Sequence, residues 1–508
     1  MIYGIGMELR KYQEFAIQNV KEQYARGCKK VLLVAPTGSG KTVIASRMIE
    51  KAEQKNKASL FVAHRRELVK QCSTKLHQFG INAGVIMAGI TGVWHYDTQI
   101  ASIQTFISRK DDDDFYKPKA DLLIIDEAHR STSKSFRKLL AEYPDAYVVG
   151  LTATPLRNDS SGLGDIYDTL VEVSDIKTLT TQGFLVPCKV FAPTIPDLKG
   201  VATVRGDYDV KELDKRMNKV KLVGDLVEHW IQFALDRPTV VFASSIAHSK
   251  YICKIFNQNG IPSGHIDSEM PDIERERQLN MMQDDKIKVL CNCQILTEGW
   301  DMPKISCVVL ARPTKSVGLY LQMVGRSLRP YTNKKDTMII DHSGAVYENG
   351  FPDETREWKL EYSKEDKKKL KEPKEIIKQP FTCIKCDFVY KPTKENPECP
   401  NCNFVPTKKE VQLLIKQGRL QEVKKPKENI KTEDKKSFYA QLLFIARQKG
   451  YKEGWASHTF REKYKHFPHS KMVLPTPPTP EVFNFLKHLQ IKKAKGMTLE
   501  QMQEVMCV

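Results

Sequence analysis

No stretch of about 18 consecutive apolar residues occurs in this sequence, so no membrane-spanning helix is expected. The opening MIYGIGMELRKYQ has no charged, apolar and small-residue succession, so no secretory signal is expected either. Negative charge is in short supply. With 80 Lys+Arg against 62 Asp+Glu, the formal charge is +18 and the pI is near 9.2. That excess points to a polyanionic partner, nucleic acid before membrane. Of the 12 cysteines, eight stand singly or nearly so, at positions 28, 72, 188, 253, 291, 293, 307 and 507, and read as small core hydrophobes. A reducing, cytoplasmic setting is the expectation. A single core is excluded, because 508 residues exceed the roughly 250–300 that one core sustains.

What the sequence does have begins at residues 35–42, APTGSGKT. The run VLLV (Val31 to Val34) before it is apolar and β-branched, as a buried parallel strand would be. TVIASRMIEKAEQ after it has helical spacing. Strand, glycine loop, Lys-Thr and helix together make the context of a phosphate-binding loop. Gly38 and Gly40, with Ser39 between them, let backbone N–H groups approach a β-phosphate, and the helix N-terminus adds its positive end. Lys41 would reach the β- and γ-phosphates, and Thr42 would offer its hydroxyl to Mg²⁺. One departure from the strict pattern is Ala35 where glycine is usual.

A second signal supports the first. Asp126 and Glu127, followed by Ala128 and His129, close a buried strand read over Leu122 to Ile125. Two adjacent carboxylates there are costly to hold without a cation. Asp126 would hold Mg²⁺ through its water shell, and Glu127 would orient or deprotonate the attacking water.

APTGSGKT, the DEAH quartet ending in His129, LTATP (Leu151 to Pro155) and QMVGRSLRP (Gln322 to Pro330) resemble motifs I, II, III and VI of the superfamily 2 helicases. VAHRREL (Val62 to Leu68) and TEGWDMP (Thr297 to Pro303) are similar to motifs Ia and V, and LRKYQ (Leu9 to Gln13) to the upstream glutamine motif. The resemblance covers about residues 5–345, in family order. The nearest branch is that of excision-repair translocases, phage helicases and restriction motors. The resemblance implies that Gln13 reads adenine, that His129 belongs with the catalytic residues and that Asp301 bonds ribose or couples the two halves. It makes Arg329 the arginine finger with Arg326 its companion, two guanidiniums suited to clamping phosphate oxygens. It also assigns phosphate contacts with nucleic acid to Arg65, Arg66, Ser102, Gln104 and Thr297.

From about residue 218 strands and helices alternate again, with no second phosphate loop, so a second parallel sheet would close over one shared ATP. The fold class expected is two tandem RecA-like α/β domains, over 1–200 and 201–358. A charged linker (359–378), a zinc ribbon (379–408), a second charged linker (409–434) and a helical accessory domain (435–508) would follow. The ribbon rests on Cys383 and Cys386 of CIKC and Cys399 and Cys402 of CPNC. Four thiolates in two close pairs suit a closed, structural Zn²⁺ site, and a reducing setting argues against two disulfides. In the tail, Tyr451, Trp455, Phe460, Tyr464 and Phe467 interleave with basic residues. They read as a small helical core with basic edges, against single-strand stacking as the rival.

The function expected is an ATP-dependent helicase or translocase using ATP, Mg²⁺ and structural Zn²⁺. DNA is favoured over RNA, because TATP is similar to the DNA-acting relatives. A protein partner would be met through the ribbon or the tail. Three alternatives stand beside it: an RNA helicase, the motor subunit of a restriction or defence assembly, and a non-catalytic nucleic-acid-binding protein.

Overall fold

The computed structural model describes residues 8–362, 380–405 and 432–489, with short breaks at 91–92, 114, 158–161, 193–197, 199, 205–206, 218–219, 298, 393–395, 465–466, 469–473, 480–481, 484 and 487–488. Both charged linkers and the last 19 residues of the expected accessory domain thus lie wholly or largely outside the described residues.

The first sheet holds seven parallel strands: β1 (Lys30–Val34), β2 (Ser59–Ala63), β3 (Gly84–Ile86), β4 (Thr98–Ser102), β5 (Leu122–Asp126), β6 (Tyr147–Thr152) and β7 (Thr169–Glu172). Their order is β3-β4-β2-β5-β6-β1-β7. The continuous apolar runs are explained by burial on both faces. Val31 and Leu33 pack with α1 (Lys11–Ala25) and α2 (Lys41–Glu53) on one side. Leu32 and Val34 point the other way, into the cluster that holds Phe106 of α4 (Ile103–Arg109) and Phe136 of α5 (Lys134–Glu142).

The second sheet has six parallel strands, in the order β12-β13-β11-β14-β15-β8. Five follow residue 238: β11 (Thr239–Ala243), β12 (Ser263–Ile266), β13 (Val289–Asn292), β14 (Cys307–Ala311) and β15 (Thr337–Asp341). The sixth is β8 (Cys188–Phe191), which pairs with β15 from Cys188↔Thr337 to Phe191↔Ile340. The second sheet thus includes Cys188–Phe191, which lie before the expected boundary at 200/201. Short CKVF carries little signal by itself, and its place is decided by the free edge of β15.

By packing, the chain divides into two units. One comprises Met1–Asn218, Arg237–Lys254 and Ile261–Thr407; the other comprises Lys219–Asp236, Ile255–Gly260 and Lys408–Val508. Both sheets belong to the first. The second includes α13 (Thr432–Gln448) and α14 (Glu453–Tyr464); Phe438, Leu442, Leu443 and Phe460 are buried between them. The tail aromatics divide as a core with edges would: Phe460 is inside, whereas Tyr451 and Phe467 are exposed. No helix among the described residues is long and apolar enough to cross a membrane.

Candidate nucleotide seam and nucleic-acid cleft

The first loop starts where β1 stops. Ala35 N–H still donates to Thr152 O at 2.8 Å, and the chain then turns through Gly38 (φ +89°) and Gly40 (φ +85°) into α2. Both angles favour glycine. Lys41 and Thr42 open α2, half-buried, where the helix N–H groups and dipole favour an anion. Among the described residues no hydrogen bond or ion pair involves the Lys41 side chain. Gln13 braces the loop: its amide donates to Ser39 O at 2.9 Å and accepts from Arg10 N–H at 3.0 Å. The hydroxyl of Tyr12 donates to the same Ser39 carbonyl at 2.8 Å.

Strand order sets β6 beside β1 and β5 next to β6, all parallel, so their C-terminal ends deliver the next residues to the same edge. Asp126 ends β5, and Glu127 follows in the left-handed region at φ +48°, a conformation that is costly for a glutamate. Both carboxylates are buried. Glu127 Oε2 lies 3.4 Å from His129 Nδ1 and has no hydrogen-bond partner. A buried, unsatisfied carboxylate oxygen beside a second carboxylate fits a divalent cation and a polarised water. His129 Nδ1 also lies 3.3 Å from Thr152 Oγ1, which Thr154 N–H contacts at 3.2 Å, so the TATP segment is tied to the acidic pair.

The second sheet reaches this edge through α11 (Val317–Gly325) and the turn after it. A methyl at Gly325 would stand 2.5 Å from Thr37 Cβ, and one at Gly38 would stand 3.4 Å from Arg329 Cγ. Arg329 therefore runs alongside the phosphate loop. Its guanidinium pairs with Asp301, and burial pushes its pKa down to about 10. Arg326 is engaged differently: its two terminal nitrogens donate to Trp300 O at 2.5 Å and Thr297 O at 2.6 Å. It ties α11 to the TEGWDMP segment. Lys334, unremarked in the sequence, donates to Pro303 O (2.9 Å), Arg329 O (2.8 Å) and Ile305 O, bracing both segments from behind.

A cleft of 1140 Å³ opens between the two sheets. Of the five residues expected to meet nucleic acid, Arg65, Gln104 and Thr297 line it, whereas Arg66 and Ser102 do not. Gln104 is held by donating to His64 O at 2.9 Å, and Arg65 donates to Ile295 O across the seam at 3.3 Å. Arg66 is turned to Ala88 O at 3.2 Å. Arg312 and Tyr208, which the sequence does not single out, also line the cleft. Neither sits in a motif, and only the tertiary fold brings them there.

The four ribbon cysteines converge. All their sulfurs lie within 4.8 Å of one another. Cys383 and Cys402 approach to 3.6 Å and Cys386 and Cys399 to 3.7 Å, too far for disulfides. A tetrahedral site with Zn–S bonds of about 2.3 Å has sulfur–sulfur edges of about 3.8 Å, so the residues fit zinc. The two CxxC turns match: Asp387 and Asn403, each four residues past the first cysteine, adopt φ +59° and +54°. The ribbon is anchored on the second sheet. Phe388 bridges Phe191 at the end of β8, with ring centroids 5.4 Å apart, and Val389 is buried in that sheet's core.

Compared with known proteins, residues 6–157 match the family model "Type III restriction enzyme, res subunit". Residues 200–331 match "Helicase conserved C-terminal domain". A "51.5 kDa protein" of a Lactococcus phage is 28% identical over 81% of this chain and 86% of its own length. The Saccharomyces cerevisiae protein named "Putative ATP-dependent helicase IRC3" is 32% identical over 66% of this chain, which spans 52% of it. In fold, the chain is similar to the ATP-dependent Type ISP restriction-modification enzyme LlaBIII bound to DNA, with a TM-score of 0.51 and 19% identity. That likeness covers 66% of this chain and 28% of the enzyme.

Proposed function

This chain belongs to the superfamily 2 helicases and translocases, and we propose that it hydrolyses ATP at the seam between its two sheets in order to move along DNA. The observation that carries the reading is the approach of Arg329, from the second sheet, to Gly38 of the phosphate loop on the first. A site made of two bodies can be completed by ATP and released by hydrolysis.

In this reading Lys41 and the loop N–H groups bind the β- and γ-phosphates. Thr42 and Asp126 would hold Mg²⁺, which when bound screens the phosphate charge. Glu127 would orient the attacking water or take its proton as the new P–O bond to the γ-phosphorus forms and the bond to the β–γ bridging oxygen breaks, releasing ADP and phosphate. Arg329 leaves Asp301 for the γ-phosphate and stabilises charge that develops in the transition state. Arg326, bound to motif V carbonyls, keeps that arm in position and couples it to the cleft. DNA is favoured over RNA by the match to a restriction-enzyme subunit and by the TATP segment. Arg65, Gln104 and Thr297 would take phosphate oxygens, which gives grip without sequence choice. Zinc would be structural, since four thiolates leave no open position.

Substitution Arg329→Ala tests the seam. Steady-state hydrolysis should fall by about 10³-fold at saturating ATP, while binding of a fluorescent ATP analogue changes by only a few-fold. A variant that hydrolyses at the wild-type rate would remove Arg329 from the reaction.

A further inference from the structure

One short element of the cleft wall is not accounted for by the motor motifs. β9 (Thr203–Val204) and β10 (Asp207–Tyr208) form an antiparallel ribbon of two residues per strand. Such a ribbon does not persist in water unaided. Here it is fastened to the second sheet. The carboxylate of Asp207 accepts from the Thr314 hydroxyl at 2.9 Å and from Lys315 N–H at 2.8 Å. Lys315 Nζ donates to Thr203 Oγ1 at 2.8 Å and lies 4.5 Å from the Tyr208 ring centroid. Thr314 and Lys315 immediately precede α11, whose C-terminal end leads to Arg326 and Arg329. The ribbon is thus carried by the segment that carries the arginines.

Its chemistry differs from that of the facing wall. Arg65 and Gln104 opposite, and Thr297 and Arg312 on its own side, offer cations, an amide and a hydroxyl, which suit phosphates and sugars. The ribbon offers a half-buried tyrosine and Val204, which is 52% exposed. Among the described residues of the two strands the charged side chain is Asp207, with Asp209 directly after it, and both carboxylates disfavour a phosphate beside Tyr208. An aromatic ring and an exposed aliphatic side chain beside acidic groups are matched to the faces of bases.

We propose, on the premise that the cleft binds DNA, that this ribbon is a pin on which a base of the bound single strand stacks, with Tyr208 as the platform and Val204 against its neighbour. Because the pin is tied to the second sheet through Asp207, it travels with Arg329 when the seam closes and presses on the strand at each cycle. Asp207 is then a positioning residue.

The test is equilibrium binding of fluorescein-labelled oligo(dT) to the full chain over a series of NaCl concentrations, for wild type, Tyr208→Ala, Tyr208→Phe and Arg312→Ala. Tyr208→Ala should weaken binding about tenfold with the salt slope unchanged, since no phosphate contact is lost. Tyr208→Phe should stay within about twofold. Arg312→Ala should lower the slope by about one counterion. A 2-aminopurine placed in the strand should be quenched by wild type and by Tyr208→Phe, not by Tyr208→Ala. Wild-type affinity in Tyr208→Ala, or equal loss in Ala and Phe variants, would overturn the pin while leaving the motor intact. Wild-type protein that binds oligo(U) but not oligo(dT) would overturn the pin and the DNA assignment together.

Discussion

Single residues in this chain are held by identifiable neighbours, and buried titratable groups show it most directly. His248 lies inside the second sheet's fold, with Nδ1 2.8 Å from Ser244 Oγ. Burial pushes its pKa down to about 4, against a smaller upward pull from Asp214. An unfolded histidine takes its proton near pH 6.5. Stability from a neutral His248 is therefore complete above about pH 6.5 and declines as pH falls toward 4, by up to about 3 kcal/mol. Chemical denaturation of wild type and His248→Asn across that window should show the difference between them shrinking as pH falls. A constant difference would mean that His248 does not titrate in this range. At the same scale, the motif residues were legible because phosphate and metal chemistry admits few alternatives. Arg326 was legible as a motif member, whereas its attachment to Thr297 and Trp300 carbonyls depends on where two loops meet.

At the scale of elements, the ribbon is a continuation of the second sheet rather than an appendage. Phe388 bridges Phe191, Ala192 N–H donates to Asp387 O at 3.2 Å, and Lys391 pairs with Glu354 at 2.7 Å. Tyr347, from α12 (Ala345–Asn349), meets Thr382 of β16 (Phe381–Thr382). Removing zinc should therefore destabilise the second sheet's domain and not the ribbon alone. Stripping the metal with a chelator should lower the melting temperature by several degrees and release one zinc per chain, read with a metallochromic dye. An unchanged melting temperature after complete release would show the ribbon to be energetically separate. CxxC spacing announced the site from sequence, but its docking partner could not be read there. β8 pairs with β15 across some 150 residues of chain, a separation at which local pattern is silent. The β9–β10 ribbon escaped notice for a related reason: two-residue strands carry no periodicity.

For the whole molecule, both sheets were foreseeable because strands such as β1, β5, β11 and β14 are short apolar runs, and β1 and β5 are followed directly by loops that carry the motif residues. Which surfaces face each other across the seam was not, since that depends on Gly325 fitting against Thr37 and Gly38 against Arg329. The positive balance of +18 belongs to this scale too, and favours encounter with a polyanion before any specific contact forms. An ATP-driven motor is tested most directly by ATP hydrolysis of the purified chain, wild type and Lys41→Ala, without polymer and with single-stranded DNA, duplex DNA or RNA. A DNA motor of this kind should show hydrolysis that DNA stimulates strongly and that Lys41→Ala abolishes under every condition. Stimulation by RNA alone, or hydrolysis that survives Lys41→Ala, would contradict it.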